Sequence, residues 1–240
     1  MIPLRDKNPS PVFPYVNISI IVLNVLVFFY ELYLGPFLQQ FLFYYGIVPV
    51  RYFDPRIAQY FSFIDQLVPL FTSMFLHGGW LHLIGNMWTL YIFGDNVEGY
   101  LGHFRYFIFY ILSGLIAALI HLITNAHSQV PTIGASGAIA GVMGAYFLLY
   151  PNARILSLVP IFFFITIIEI PAYVFLGFWF FIQFFNGTFA IASGAHQFGG
   201  IAWWAHIGGF AGGYMLLKTV FGPQRIRRRD VKWPWFKKRF

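Results

Sequence analysis

Gly134-Ala135-Ser136-Gly137-Ala138-Ile139-Ala140-Gly141-Val142-Met143-Gly144-Ala145 is an uncharged run that opens on a serine and repeats glycine at Gly137, Gly141 and Gly144. Small residues at helical spacing suit a helix that a second helix can approach closely in lipid. A hydroxyl at its start has free backbone N–H groups beside it and lies at the positive end of the helix dipole. Taken alone, Ser136 reads as a packing residue. A base at the same depth would make it a nucleophile.

The rest of the chain supplies a membrane setting. Of 240 residues 59% are hydrophobic and only 10% charged, against about 25% charged in an ordinary soluble domain. Apolar runs between breakers predict an all-α membrane protein of six spans, near residues 17–34, 80–96, 104–124, 134–150, 171–187 and 203–220, with a long loop after the first. Phe37 to Phe53, broken by Gly46 and Pro49, and Ile155 to Ile170, which carries Pro160 and many β-branched residues, read as interfacial or loop-embedded segments. This divides the chain into a short segment (1–16), a membrane core (17–220) and a basic tail (221–240). Met1 to Asn17 has four prolines and no apolar core, so the first span is expected to act as its own insertion signal.

The net charge of +7 comes largely from the ends, Arg5 and Lys7 and the run from Arg225 to Arg239 with Trp233 and Trp235 interleaved. That pattern fits a membrane surface, and without a recognition motif it does not point to nucleic acid. Arg105, Arg154 and both basic ends fall on one side of a six-span layout, which predicts both termini cytoplasmic in a multi-pass protein of a prokaryotic cell membrane. The chain lacks cysteine, so thiolate metal sites and disulfides are excluded, and no metal or cofactor is expected.

In this layout the second, fourth and sixth spans start on the same, extracytoplasmic side, which sets His82, Asn86, Ser136 and His206 at one depth. Gly208, Gly209, Gly212 and Gly213 give the sixth span a smooth face to set against the fourth. Close approach would bring the His206 imidazole to the Ser136 hydroxyl, and Gly134 and Gly137 leave room for substrate. His82 and Asn86, four apart on one helical face, can both donate to a developing oxyanion. None of the acidic residues has an evident route to His206, so a Ser-His dyad without a carboxylate is expected.

Gly134-Ala135-Ser136-Gly137, Ala205-His206-Ile207-Gly208-Gly209 and His82-Leu83-Ile84-Gly85-Asn86 together resemble the rhomboid family of intramembrane serine proteases. The resemblance implies Ser136 as nucleophile, His206 as base, and His82, Asn86 and the Ser136 N–H as the oxyanion site. It also implies an endopeptidase whose partners are membrane lipids and the transmembrane helices of substrate proteins, cut near their extracytoplasmic ends, with the fifth span as the mobile side of a lateral gate. Two departures stand out. Some members stack an aromatic residue four positions after the serine on the catalytic histidine, and here that position is Ala140, which leaves the task to a Phe or Trp of the fifth span. The Trp-Arg pair that some members carry after the first span is missing between Gly35 and Gly79.

Water would enter past His77-Gly78-Gly79 and the loop from Ser193 to Gly200. The competing readings are a rhomboid-like protein that binds or escorts transmembrane helices without cutting them, and a transporter or channel. The second needs a polar path to the opposite side, and the inner halves of the second, fourth and sixth spans carry almost no ionisable groups.

Overall fold

The computed structural model describes residues 1–10, 12–161, 164–192 and 202–222. The long helices fall where the apolar runs lie: α1 (Tyr15–Leu34), α6 (Trp80–Leu101), α7 (His103–Thr124), α8 (Ser136–Leu149), α9 (Ala172–Ala192) and α10 (Trp203–Leu216), the last continued by a π-helical turn, Leu217–Phe221. Four short helices, α2 (Leu38–Tyr45), α3 (Val50–Phe53), α4 (Pro55–Ala58) and α5 (Phe63–Thr72), fill most of the connection between α1 and α6. Three helical stretches among the described residues, Tyr15–Tyr45, His103–Thr124 and Ala172–Ala190, are long and apolar enough to cross a membrane. A fourth qualifies if Phe63–Phe75 and Trp80–Leu101, bent by 78°, count as one. The protein is thus a mostly helical membrane protein.

The all-α expectation needs correction. Strands β1 (Ile2–Asp6), β2 (Arg154–Ile161) and β3 (Phe164–Pro171) form an antiparallel sheet in the order β1-β2-β3. The segment from Ile155 to Ile170 is the hairpin of this sheet; its β-branched residues favour extended backbone, and Pro160 would break a helix. The basic tail beyond Gly222 and the loop from Ser193 to Gly200 lie outside the described residues.

A buried cation is at the centre of the connection after α1, with Tyr52 donating to the Gln66 carbonyl and Thr72 to that of Tyr45 beside it. Arg51, 1% exposed, donates to the carbonyls of Phe43 at 2.7 Å and Asp65 at 3.0 Å, and its guanidinium lies 3.9 Å from the Phe61 ring centroid. One planar group thereby ties α2, α3, α5 and the turn before α5 together. A capping box between Ser62 and Asp65 starts α5.

At the other end of the bundle Glu98 of α6 accepts from the first amides of α1, Val16 at 3.0 Å and Asn17 at 2.7 Å, so a buried carboxylate meets a helix N-terminus. Asn17 in turn donates to the Leu90 carbonyl at 3.1 Å and accepts from Tyr106 of α7 at 2.7 Å. Three helices are fixed at that end by one polar knot.

The centre of the bundle is α8, with every residue from Gly137 to Tyr146 buried. It packs backbone to backbone on α10. A β-carbon on Gly209 would lie 2.1 Å from the Gly137 carbonyl oxygen, one on Gly213 2.2 Å from that of Gly141, and one on Gly144 2.1 Å from that of Phe210. No side chain larger than hydrogen fits at these points. At Gly177 in α9, by contrast, a β-carbon would meet no atom within 4 Å.

Gly213→Val is therefore expected to destabilise the protein by at least about 1–3 kcal/mol through overpacking, whereas Gly177→Ala costs nothing and gains up to about 1 kcal/mol of helix propensity. Reversible unfolding in detergent micelles reads both. Equal stability of the two variants would rule out the close α8–α10 contact.

Candidate active site

At about 1.5 Å per residue α8 is only about 21 Å long, shorter than the roughly 30 Å of hydrocarbon. Its neighbours α6 and α7 have 22 residues each. A short central helix within longer ones leaves a hollow above its start. A cavity of about 940 Å³ occupies that place, lined by Ser136 and Gly137 of α8, His82 and Asn86 of α6, and His206 of α10, among others.

The glycine contacts set the separation of α8 and α10, and that separation places His206 Nε2 2.8 Å from Ser136 Oγ. The other ring nitrogen, Nδ1, is 2.8 Å from the side-chain oxygen of Gln183 in α9. A carboxamide oxygen only accepts, so Nδ1 carries the proton and Nε2 is left to accept from the Ser136 hydroxyl. Trp179, one turn before Gln183, faces the same imidazole with ring centroids 5.8 Å apart and planes tilted by 35°. At Ala140, buried in α8, there is no ring to do this. Two residues of α9 on one helical face hold His206 from the side opposite Ser136.

His82 and Asn86 flank the backbone just before the serine. A β-carbon on Gly134, whose φ is +125°, would lie 2.7 Å from His82 Nε2 and 3.7 Å from Asn86 Nδ2. Glycine is needed there both for the dihedral and for the space. Gly78 N–H points to His82 Nδ1 at 3.4 Å, so the proton of this imidazole is on Nε2, the nitrogen that faces Gly134. Asn86 uses one amide N–H on His77 Nε2 at 3.1 Å and retains the other. Gly137 packs on Ala117 of α7 and on Gly209, and Gly208 packs on Ile120 of α7.

Behind these donors is a layer the sequence did not reveal. The Glu31 carboxylate, buried near the end of α1, accepts from the backbone N–H of His77 at 3.0 and 3.2 Å, and His77 in turn receives Asn86. His77 is 2% exposed and is therefore a buried support, not part of an open lip. Nothing in residue spacing connects Glu31 with position 77, because the intervening connection has to fold first. Gln183 was equally silent: within the aromatic run of α9 one carboxamide gives no periodic signal.

A family model of the Rhomboid domain matches residues 65–223, most of the chain, including Ser136, His206, His82, Asn86 and Gln183. The chain belongs to the rhomboid family. Among its relatives, "Rhomboid protein 1, mitochondrial" of Saccharomyces cerevisiae is 27% identical over 183 residues, 73% of this chain and 49% of that protein. "RHOMBOID-like protein 5" of Arabidopsis thaliana is 38% identical over 76 residues, 32% of this chain and 25% of that one. "Presenilin-associated rhomboid-like protein A, mitochondrial" of Danio rerio is 28% identical over 129 residues, 52% and 31% respectively. The chain thus spans between a quarter and about half the length of these curated relatives. They are eukaryotic and two are mitochondrial, which overturns the expectation of a prokaryotic cell membrane while keeping a membrane protein.

If Gln183 fixes the tautomer of His206, Gln183→Leu, similar in bulk but without an acceptor, slows labelling of Ser136 by a fluorophosphonate about 10- to 100-fold. Gln183→Glu keeps an acceptor and retains most of the rate. Unchanged labelling in the leucine variant would show that packing alone orients the ring.

Proposed function

We propose that this rhomboid-family chain is an intramembrane serine endopeptidase that cuts transmembrane segments of other proteins near the membrane face on which its cavity lies. The observation that carries the reading is the 2.8 Å contact between His206 Nε2 and Ser136 Oγ at the floor of that cavity. In this reading α1, α6, α7, α8, α9 and α10 are six spans, and α8 is short because its start is sunk to the depth of the reaction.

The chemistry follows from the protonation pattern. As Ser136 Oγ attacks the scissile carbonyl carbon, its proton passes to His206 Nε2, the imidazolium being steadied by Nδ1–H on Gln183. The carbonyl oxygen becomes an oxyanion that accepts from His82 Nε2–H, the free N–H of Asn86 and the Ser136 backbone N–H. His206 returns the proton to the leaving amine as the C–N bond breaks, which gives an acyl-enzyme. A water molecule then gives a proton to His206 while its oxygen bonds to the acyl carbon, and His206 passes that proton to Ser136 Oγ as the ester C–O bond breaks and the new carboxyl terminus leaves. Gln183 does for the tautomer what a carboxylate does in a triad, without a second buried charge.

Peptide bonds inside a helix are shielded by their own hydrogen bonds, so a substrate has to unwind at the cut. Segments weakened by glycine or proline are expected to be preferred. Stabilising a substrate helix at the cut site with alanine should slow cleavage, read by quantifying fragments in proteoliposomes; an unchanged rate would remove local unwinding from the mechanism.

Ser136→Ala and His206→Ala are each expected to abolish cleavage of a transmembrane substrate while the protein remains inserted and folded. Asn86→Ala should lower turnover about 10²- to 10³-fold with a smaller effect on KM. Serine-dependent labelling by a fluorophosphonate establishes the nucleophile without a known substrate. Wild-type cleavage by either dyad variant would refute the assignment, and cleavage-free capture of transmembrane helices by the wild type would instead identify a non-proteolytic binder.

A further inference from the structure

The antiparallel sheet plays no part in the chemistry above, and β1 lies outside the residues that the family model matches. Its position is fixed against α6. At the base of the sheet Asp6 accepts from Asn96 Nδ2 at 2.9 Å and from Tyr146 at 2.7 Å. Towards the other end Trp88 Nε1 donates to the Pro3 carbonyl at 2.7 Å. Trp88 and Asn96 are eight residues apart in one helix, so β1 climbs about 12 Å along the axis of α6. Trp88 is thirteen residues, or about 20 Å, from the end of α6 at Leu101, well inside a hydrocarbon layer roughly 30 Å thick.

The side chains follow the same gradient. Exposed apolar groups gather at the deep end: Ile2 (55% exposed), Phe164 (77%), Ile165 (72%), Ile167 (56%) and Ile168 (40%), with Ile2 registered opposite Leu158 and Leu158 opposite Ile167. At the shallow end Lys7 pairs with Glu169, and Arg5 is registered opposite Leu156, itself opposite Glu169. Arg154 is at the same end, its carbonyl accepting from Lys7 N–H at 2.9 Å and its register partner being Pro171, and the hydrogen bond from Lys7, with the fields of these cations, holds the Glu169 carboxyl below its usual range. Three positive groups thus share the shallow end with one exposed carboxylate, and Asp6 bonds inward to Tyr146 and Asn96. At the edge that meets α6, Pro3 has no N–H to satisfy, and its carbonyl is taken by Trp88.

We propose that this sheet is a lipid-binding element whose basic base engages the headgroups of anionic lipids while its apolar end lies among their acyl chains. Charge complementarity selects the headgroup, and the depth gradient along α6 selects a bilayer lipid over a soluble anion. Neither feature depends on Ser136, so the proposal is independent of the proteolytic reading.

The absence of cysteine permits a direct test in the full chain. Ile167→Cys and, as a reference, Asn152→Cys in the exposed turn before β2 are spin-labelled and reconstituted in vesicles of phosphatidylcholine and phosphatidylglycerol at 3:1. The label at 167 should collide with dissolved oxygen far more than with a water-soluble nickel chelate, and the label at 152 should show the reverse. Equal access of the chelate to both sites would overturn the proposal. In the same vesicles spin-labelled phosphatidylglycerol should be retained at the protein in preference to phosphatidylcholine. Replacing Arg5, Lys7 and Arg154 together by Gln should reduce that preference by up to roughly an order of magnitude, and Glu169→Gln should increase it. The basic tail is the same in all the proteins compared, and a misfolded variant would not give opposite signs. An unchanged preference in both variants would refute the lipid site.

Discussion

The contact between α8 and α10 is the constraint on which the remaining geometry depends. Gly137 against Gly209 and Gly141 against Gly213 put two backbones at a distance that no β-carbon tolerates. In lipid no hydrophobic force drives helices together, so association rests on dispersion contacts of this kind and on polar bonds across the interface. The same approach places Ser136 and His206 within one hydrogen bond. Stability and the site therefore share atoms: residues that hold the bundle closed also set the separation of the Ser136 hydroxyl and the His206 imidazole.

What could be read from the sequence was what periodicity and span order carry. Ser136, His206, His82 and Asn86 lie near the starts of three helices that begin on the same side of the bundle, and in the structure all four border one cavity. Helix positions were legible because apolar runs end at glycine, proline or charge. The strands were not, since in a membrane protein a β-branched apolar run between helices has the composition of an interfacial segment whichever form it takes. Pairing with β1 decides the matter, and that partner lies about 150 residues away in sequence. Glu31 and Gln183 were hidden for a related reason. Each acts only through a residue brought to it by tertiary packing, His77 in one case and His206 in the other.

The buried acidic groups of the bundle sit on backbone amides. Glu31 accepts from the amide of His77, away from the Ser136–His206 contact, and Glu98, at the opposite end of the bundle, sits on the amides that start α1. A carboxylate is tolerable there because each is buried against N–H groups that it satisfies. Beside His206 the support is neutral. A carboxylate in the place of Gln183 would raise the proton affinity of the imidazole and would itself pay for desolvation in the middle of a bundle, whereas a carboxamide fixes orientation and tautomer at lower cost.

That arrangement ties the orientation of the His206 imidazole to α9. Trp179 and Gln183 are one turn apart, both touch His206, and both belong to a helix whose remaining surface is largely exposed phenylalanine. α9 packs mainly on α10 and only lightly on α8, so it is the least enclosed of the helices that contact the site. Any outward displacement of α9 large enough to admit a substrate helix would also lengthen the Gln183 hydrogen bond and free the imidazole to rotate. In the proposed protease, entry of substrate and orientation of the base therefore compete for the same helix, and the productive state is reached when α9 returns against His206 with the substrate in place. The sheet limits that movement at one end, because β3 runs directly into the first turn of α9 while β1 is bonded to α6. Beyond that tether α9 is also held to α10, where Trp204 Nε1 donates to the Gly187 carbonyl at 3.3 Å, so in the proposed protease this bond has to open together with the Gln183 one before α9 can move outward.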